Sequence, residues 1–219
     1  MKRRRFLRDH GLTLVLLLLT IASLAGHLLA GHRVALLEDP GSPGAQSLAH
    51  YAVSGHFLVS LFENWESEFL QMATYVLITI ALFQRGASDS KNPDGGTESV
   101  DEDPELHRDD SEAPWPVRRG GFALKLYSTS LGGALALCFA LSLAGHVAAR
   151  AALVAQTTGT RPGVHDVLTD PQFLFESFQN WQSEFLSILL LVVMSIFLRQ
   201  RGSPESKPVH FPHSRTGRD

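Results

Sequence analysis

Residues 57–70 read FLVSLFENWESEFL, and residues 173–186 read FLFESFQNWQSEFL. The two stretches align without a gap at an offset of 116 and share nine of fourteen residues. The shared set is Phe57/Phe173, Leu58/Leu174, Phe62/Phe178, Asn64/Asn180, Trp65/Trp181, Ser67/Ser183, Glu68/Glu184, Phe69/Phe185 and Leu70/Leu186. The same offset carries Gln84-Arg85-Gly86 onto Gln200-Arg201-Gly202, and Ser90-Lys91 onto Ser206-Lys207. Upstream, the string from Ser23 to His27 returns from Ser142 to His146 at an offset of 119, so the first copy holds three more residues between its His and its Phe. Those extra residues fall in a loop, where length changes are tolerated. Self-similarity at a fixed offset is the signature of a duplicated structural unit.

What that unit is follows from its apolar runs. The chain has 219 residues with a mean hydropathy of +0.03, but its apolar residues are concentrated rather than spread. Four runs stand out, at about Leu12–Ala30, Phe69–Phe83, Leu126–Ala149 and Phe185–Leu198. A helix rises about 1.5 Å per residue, so the first and third can cross a hydrocarbon core about 30 Å thick. The second and fourth are short and need the preceding Trp-containing turn, or a thinned bilayer, to reach both interfaces. The expected fold is all-α: four transmembrane helices as a tandem parallel repeat of a two-span unit, a four-helix bundle with a pseudo-twofold along the membrane normal. Amphipathic helical extensions are expected on the outer side. Ser54 and Asp170, the latter followed by Pro171, are natural N-caps for them.

Basic residues set the orientation. Of 19 Lys and Arg, the connection between spans one and two holds Arg33, and that between three and four holds Arg150 and Arg161. Sixteen remain on the N-terminal side, five of them within Met1–Arg8. The positive-inside rule places that side in the cytoplasm, with both termini and the central linker. Residues 1–86 then form the first two-span repeat and 117–202 the second. The segment 87–116 carries ten acids and two bases among Gly, Pro and Ser, a composition that predicts a disordered cytoplasmic linker. The tail 203–219 is expected to be disordered as well. A rival reading takes the basic run around Arg3-Arg4-Arg5 as a twin-arginine export signal with a cleavage site near Ser23-Leu24-Ala25. The recurrence of Ser-Leu-Ala-Gly-His inside the chain argues against it.

Chemistry-bearing residues gather at one depth. Glu68 lies 17 residues from Arg85, and His27 lies 17 residues from His10, which is about 25 Å of helix in each case. The repeat carries this level to Glu184 and His146. His27, Asn64, Glu68, His146, Asn180 and Glu184 therefore form a candidate polar cluster in the outer half of the bundle. Intramembrane ionisable groups point to a proton relay, cation site or ligand pocket, and imidazole with carboxylate also suits a divalent metal. Against this, Trp65 and Trp181 suit an interfacial aromatic belt, and Asn, Glu and His at a helix end can simply lock helices together. Of the acids in the turn, Glu68 and Glu184 alone are retained by both copies, and they are expected to point inward. Small residues at Ala22, Gly26 and Ala30, and at Gly145 and Ala149, offer ridges for close helix approach. His32, His50, His56 and His165 are read as solvated or loop histidines.

Several classes are excluded. A net charge of −3 and an even balance of charges do not suit a nucleic-acid binder. The single Cys138 rules out a disulfide framework or a multi-cysteine metal site. The sequence has no Gly-rich phosphate loop, His-Glu-x-x-His or Gly-x-Ser-x-Gly. No enzyme activity and no cofactor or metal are expected. The expected partners are the lipid bilayer and a second copy or another membrane protein.

The Asn-Trp-x-Ser-Glu motif, followed by an apolar span and Gln200–Lys207, resembles a group of bacterial multi-pass membrane proteins known only as a domain of unknown function. The resemblance covers both repeats. It implies a bacterial inner-membrane setting and brings no substrate or catalytic residue. Two roles stay open: a non-enzymatic membrane module acting through helix contacts or a partner, and a small transporter or channel-like protein using the His/Glu level.

Overall fold

The structure, a computed structural model, describes residues 6, 7, 9–95 and 98–217. The basic run Lys2–Arg5 with Arg8, on which the export-signal reading rests, lies outside the described residues. Among the described residues the regular elements are helices: α1 Gly11–Glu38, α2 Pro43–Gln46, α3 Leu48–Ala52, α4 Gly55–Ile78, α5 Trp115–Arg119, α6 Gly121–Ser128, α7 Ser130–Thr158, α8 Val164–Leu168 and α9 Pro171–Phe197. Two short 3-10 turns, Ser99–Asp101 and Pro104–His107, lie between α4 and α5.

Three of these helices, α1, α7 and α9, are long and apolar enough to cross a membrane. Their surfaces agree with that use. Helix α1 has no buried residue, and Leu12, Val15 to Leu19 and Ile21 are all more than half exposed. A helix that shows apolar side chains on every side needs an apolar solvent. The second apolar run is arranged differently from expectation. Helix α4 stops at Ile78, and Thr79 to Ala81 are turns, so Leu82 and Phe83 lie beyond the helix. Thr79 Oγ1 bonds back to the carbonyls of Tyr75 and Val76 and satisfies acceptors that the helix end leaves open. The third run also begins later. Its first residues form the separate helix α6, and α7 starts at Ser130.

Helix starts follow local chemistry. Ser54 Oγ accepts from the Phe57 amide. Asp170 accepts from the amides of Gln172 and Phe173, with Pro171 in the first turn where a missing N–H costs nothing.

The chain divides into two compact units. One comprises residues 1–62 and 145–169. Here Gly31 lies under the Tyr51 hydroxyl, where a Cβ would overlap it. A Cβ at Gly55 would sit 2.9 Å from Leu153 Cβ, and one at Gly145 would sit 2.7 Å from the Phe62 ring. The ridge at Gly145 and Ala149 is thus used for close packing, and Ala149 is buried. The ridge at Ala22, Gly26 and Ala30 is not: all three are exposed, and a Cβ at Gly26 would meet open space. The packed side of α1 is one position round the helix, at His27 and Gly31.

The other unit comprises residues 63–144 and 170–219. Residues 87–95 and 98–114, where composition predicts no order, form turns with the two 3-10 segments, tied by Arg85–Asp94 and Lys91–Asp101 ion pairs. Residues 203–217 form a chain of turns held against the loop that follows α4.

Candidate functional site

The six residues of the expected polar cluster are distributed over the two units. In the first unit, His27 Nε2 lies 3.1 Å from Ser60 Oγ, and its ring is 5.0 Å from that of Phe57. His146 is fully buried. Asn64, Glu68, Asn180 and Glu184 belong to the second unit. There Asn64 and Glu68 are exposed, while Asn180 and Glu184 are half-buried.

The retained acid Glu68, expected to point inward, is exposed. Glu66 is the fully buried acid of the turn. The buried positions of α4 include Val59, Glu66 and Ala73, a seven-residue step that keeps to one helix face. Glu68 lies two positions round, near the opposite side. The buried acid is not the retained one: Glu66 is replaced by the exposed Gln182 in the second copy.

The repeated motif nonetheless has a repeated geometry. Ser67 Oγ donates to the Asn64 carbonyl at 2.9 Å, and Ser183 Oγ donates to the Asn180 carbonyl at 2.8 Å. One turn further on, the two helices meet. Gln71 Nε2 donates to the Glu184 carbonyl and to Ser187 Oγ, both at 2.8 Å, and Ser187 Oγ donates to the same carbonyl. Gln71 and Ser187 are 116 residues apart, the repeat offset. Glu68 and Glu184 are also 116 apart and close enough for their charges to act on each other. Corresponding positions of the two copies therefore face one another. Neither Gln71 nor Ser187 is among the residues of the expected polar cluster. The signal available was their shared offset.

A second constellation surrounds the Gln-Arg-Gly loops. The two loops close with the same bonds: the Gln84 amide donates to Ser90 Oγ at 2.8 Å, and the Gln200 amide to Ser206 Oγ at 2.9 Å. Ser90 Oγ donates to the Lys91 carbonyl, and Ser206 Oγ to the Lys207 carbonyl. Gly86 and Gly202 both stand at φ +85°, where a side chain is strained. The lysines that follow differ. Lys91 pairs with Asp101 at 2.9 Å near the surface. Lys207 is 1% exposed, and its ammonium donates to the carbonyls of Gly86, His213 (3.1 Å) and Arg215 (2.9 Å). Burial, with Arg199 adding its charge, lowers the Lys207 pKa below the usual lysine value. Further bonds fasten the tail to the same loop: Ser88 Oγ to the Glu205 carbonyl, the Gly86 amide to Thr216 Oγ1, and the Gly217 amide to the Ala87 carbonyl. The sequence signal for this lock was the repeated Ser-Lys, which gave no hint of its burial.

In the first unit, two histidines read as loop residues share a small pocket. His50 and His56 line it with Ser42, Tyr51 and Ser54. His50 Nδ1 lies 2.8 Å from Ser47 Oγ. Burial, reinforced by the Glu38 charge, raises the Tyr51 pKa above its ordinary value.

No curated protein and no solved structure matches the chain. A family model described as a domain of unknown function, DUF6766, matches residues 3–218. The chain belongs to that family.

Proposed function

We propose that this protein is a four-span protein of a bacterial inner membrane, with both termini in the cytoplasm, built from two parallel copies of a two-span unit. It acts without catalysis, as a membrane module whose helix contacts hold a second copy or a partner membrane protein. The observation that carries the reading is the bond between Gln71 and Ser187. Two residues at the repeat offset meet directly, as they would beside a pseudo-twofold axis relating parallel repeats. The matching Gln-Arg-Gly loops support the same symmetry. Helix α4 supplies the remaining span, with apolar residues from Phe69 onward and the turn after Ile78 at the cytoplasmic surface. The excess of basic residues on the side of the termini supports the orientation.

Cysteine labelling tests it. In a Cys138→Ala background, a cysteine at Ser42 should react with an impermeant reagent added outside, and one at Ser99 should react only after the membrane is opened. Outside labelling at Ser99 would refute the topology.

A second reading, a small transporter, is favoured by one observation. Gln71 bonds to the Glu184 carbonyl and to Ser187 one turn on from Glu68, which brings the equivalent acids Glu68 and Glu184 near one another, and two neighbouring carboxylates are more easily held together with a proton or a cation between them. Glu68→Gln should then abolish flux in reconstituted vesicles with folding intact, whereas the module reading expects no flux from either protein.

A further inference from the structure

The segment just before α7 is neither a loop nor part of the span. Helix α5 gives way to α6 through Gly120, which lies between them, and Gly121, which opens α6, at φ +69° and +59°, which only glycine adopts without strain. Another break, at Thr129, separates α6 from α7. Each short helix buries one apolar side chain, Val117 in α5 and Leu124 in α6. The rest of their large side chains face outward: Trp115 is 58% exposed, Phe122 80%, Leu126 61% and Tyr127 47%. Phe122 and Leu126 are four residues apart and form one ridge.

The exposed charged groups of the same segment are all cationic. Arg118, Arg119 and Lys125 are exposed. The Arg119 guanidinium stacks over Trp115 at 5.2 Å. Arg108 reaches back to the Arg119 carbonyl and lies against Gly120, so it adds a fourth positive charge. From Ala113 to His165 the sequence contains no acid. Trp115, Phe122, Leu126 and Tyr127 also border a shallow groove with Arg119 on its rim.

We propose that residues 115–128 form an anchor that lies in the cytoplasmic interface and binds anionic phospholipid. The phosphates pair with Arg118, Arg119 and Lys125, and the upper acyl chain covers the Phe122–Leu126 ridge. Aromatic side chains prefer the headgroup level, and basic residues next to a span are drawn to a negatively charged leaflet. Charge complementarity chooses the occupant: a zwitterionic lipid offers a phosphate already balanced by its own ammonium, whereas an anionic lipid offers the net negative charge that the cations match. The inference rests on the membrane reading above and adds a lipid class to it.

The test uses the full chain with Trp65→Phe and Trp181→Phe, so that Trp115 is the sole tryptophan and can be excited apart from the three tyrosines. The protein is reconstituted into vesicles of brominated phosphatidylcholine, with and without phosphatidylglycerol. Bromine should quench Trp115, and phosphatidylglycerol should increase the quenching. The increase should disappear in R118Q/R119Q/K125Q, and in high salt for the protein that keeps its charges. The triple variant is compared only after its melting temperature is shown to be unchanged; the salt titration needs no charge variant. A Trp115 that bromine does not quench overturns the anchor. Quenching that is the same with and without phosphatidylglycerol overturns the anionic recognition. Alkaline carbonate separates these failures from failure of the membrane reading. A chain that resists extraction but leaves Trp115 unquenched loses only the anchor, and a chain released by carbonate loses both.

Discussion

Gly86 and Gly202 occupy equivalent positions in the two loops and share the same φ of +85°. Alanine at either position pays the left-handed backbone penalty, about 1–2 kcal/mol. Their surroundings differ. A Cβ at Gly202 would meet nothing within 4 Å. A Cβ at Gly86 would lie 2.5 Å from the His213 carbonyl oxygen and 3.0 Å from Ile196 Cγ2. That carbonyl is backbone and also accepts from Lys207 at 3.1 Å, so it cannot retreat without loosening the lock. Overpacking of this kind adds about 1–3 kcal/mol. Gly86→Ala is therefore expected to cost about 2–5 kcal/mol, against about 1–2 kcal/mol for Gly202→Ala. Reversible unfolding in mixed detergent and dodecyl sulfate micelles, followed by circular dichroism, measures both. Removing residues 208–219 deletes His213 and should bring the two costs together. Equal costs in the full chain would refute the reasoning, because they would show that the tail does not pack on the first loop. The same result would favour the disordered tail that composition predicts.

The lock itself makes another matched comparison. Lys207→Met strips the charged donor from three carbonyls and is expected to destabilise by roughly 3 kcal/mol, whereas Lys91→Met loses one surface ion pair worth at most about 1 kcal/mol; a larger effect at Lys91 would refute the assignment. With its pKa lowered in the folded state, Lys207 gives up its proton before the unfolded chain does. Between the lowered value and the ordinary 10.5 the unfolded state binds more protons, so this residue's contribution should raise stability as pH rises, and Lys207→Met should flatten that slope. In the turn of α4, Glu66→Ala should cost about 2–4 kcal/mol and Glu68→Ala less than about 0.5 kcal/mol. Thermal melts that rank them the other way would show that Glu68 is the inward-facing acid after all.

Local pattern along the chain carries periodicity and chemical type. The apolar concentration marked membrane-length helices because a lipid solvent demands long runs without charge, and α1, α7 and α9 have that length and composition. Helix starts at Ser54 and Asp170 were legible because capping is a local affair between a side chain and amides two or three residues away. The offset of 116 gave the pairing of equivalent residues. Direction and neighbours were decided only in three dimensions. Glu66 and Glu68 have the same chemistry and lie two residues apart, yet about 200° of helical turn separates them, so burial depends on which face meets protein. Retention between copies is blind to that rotation. The same holds for Gly26 and Gly31, both glycines of one apolar helix, of which only Gly31 has an aromatic ring against it. Lys91 and Lys207 carry the same local motif, and the difference between a surface ion pair and a buried ammonium comes from the tail reaching a loop 121 residues away. Contacts over such separations leave no trace in local pattern, because they depend on where the chain returns and not on what any short stretch prefers.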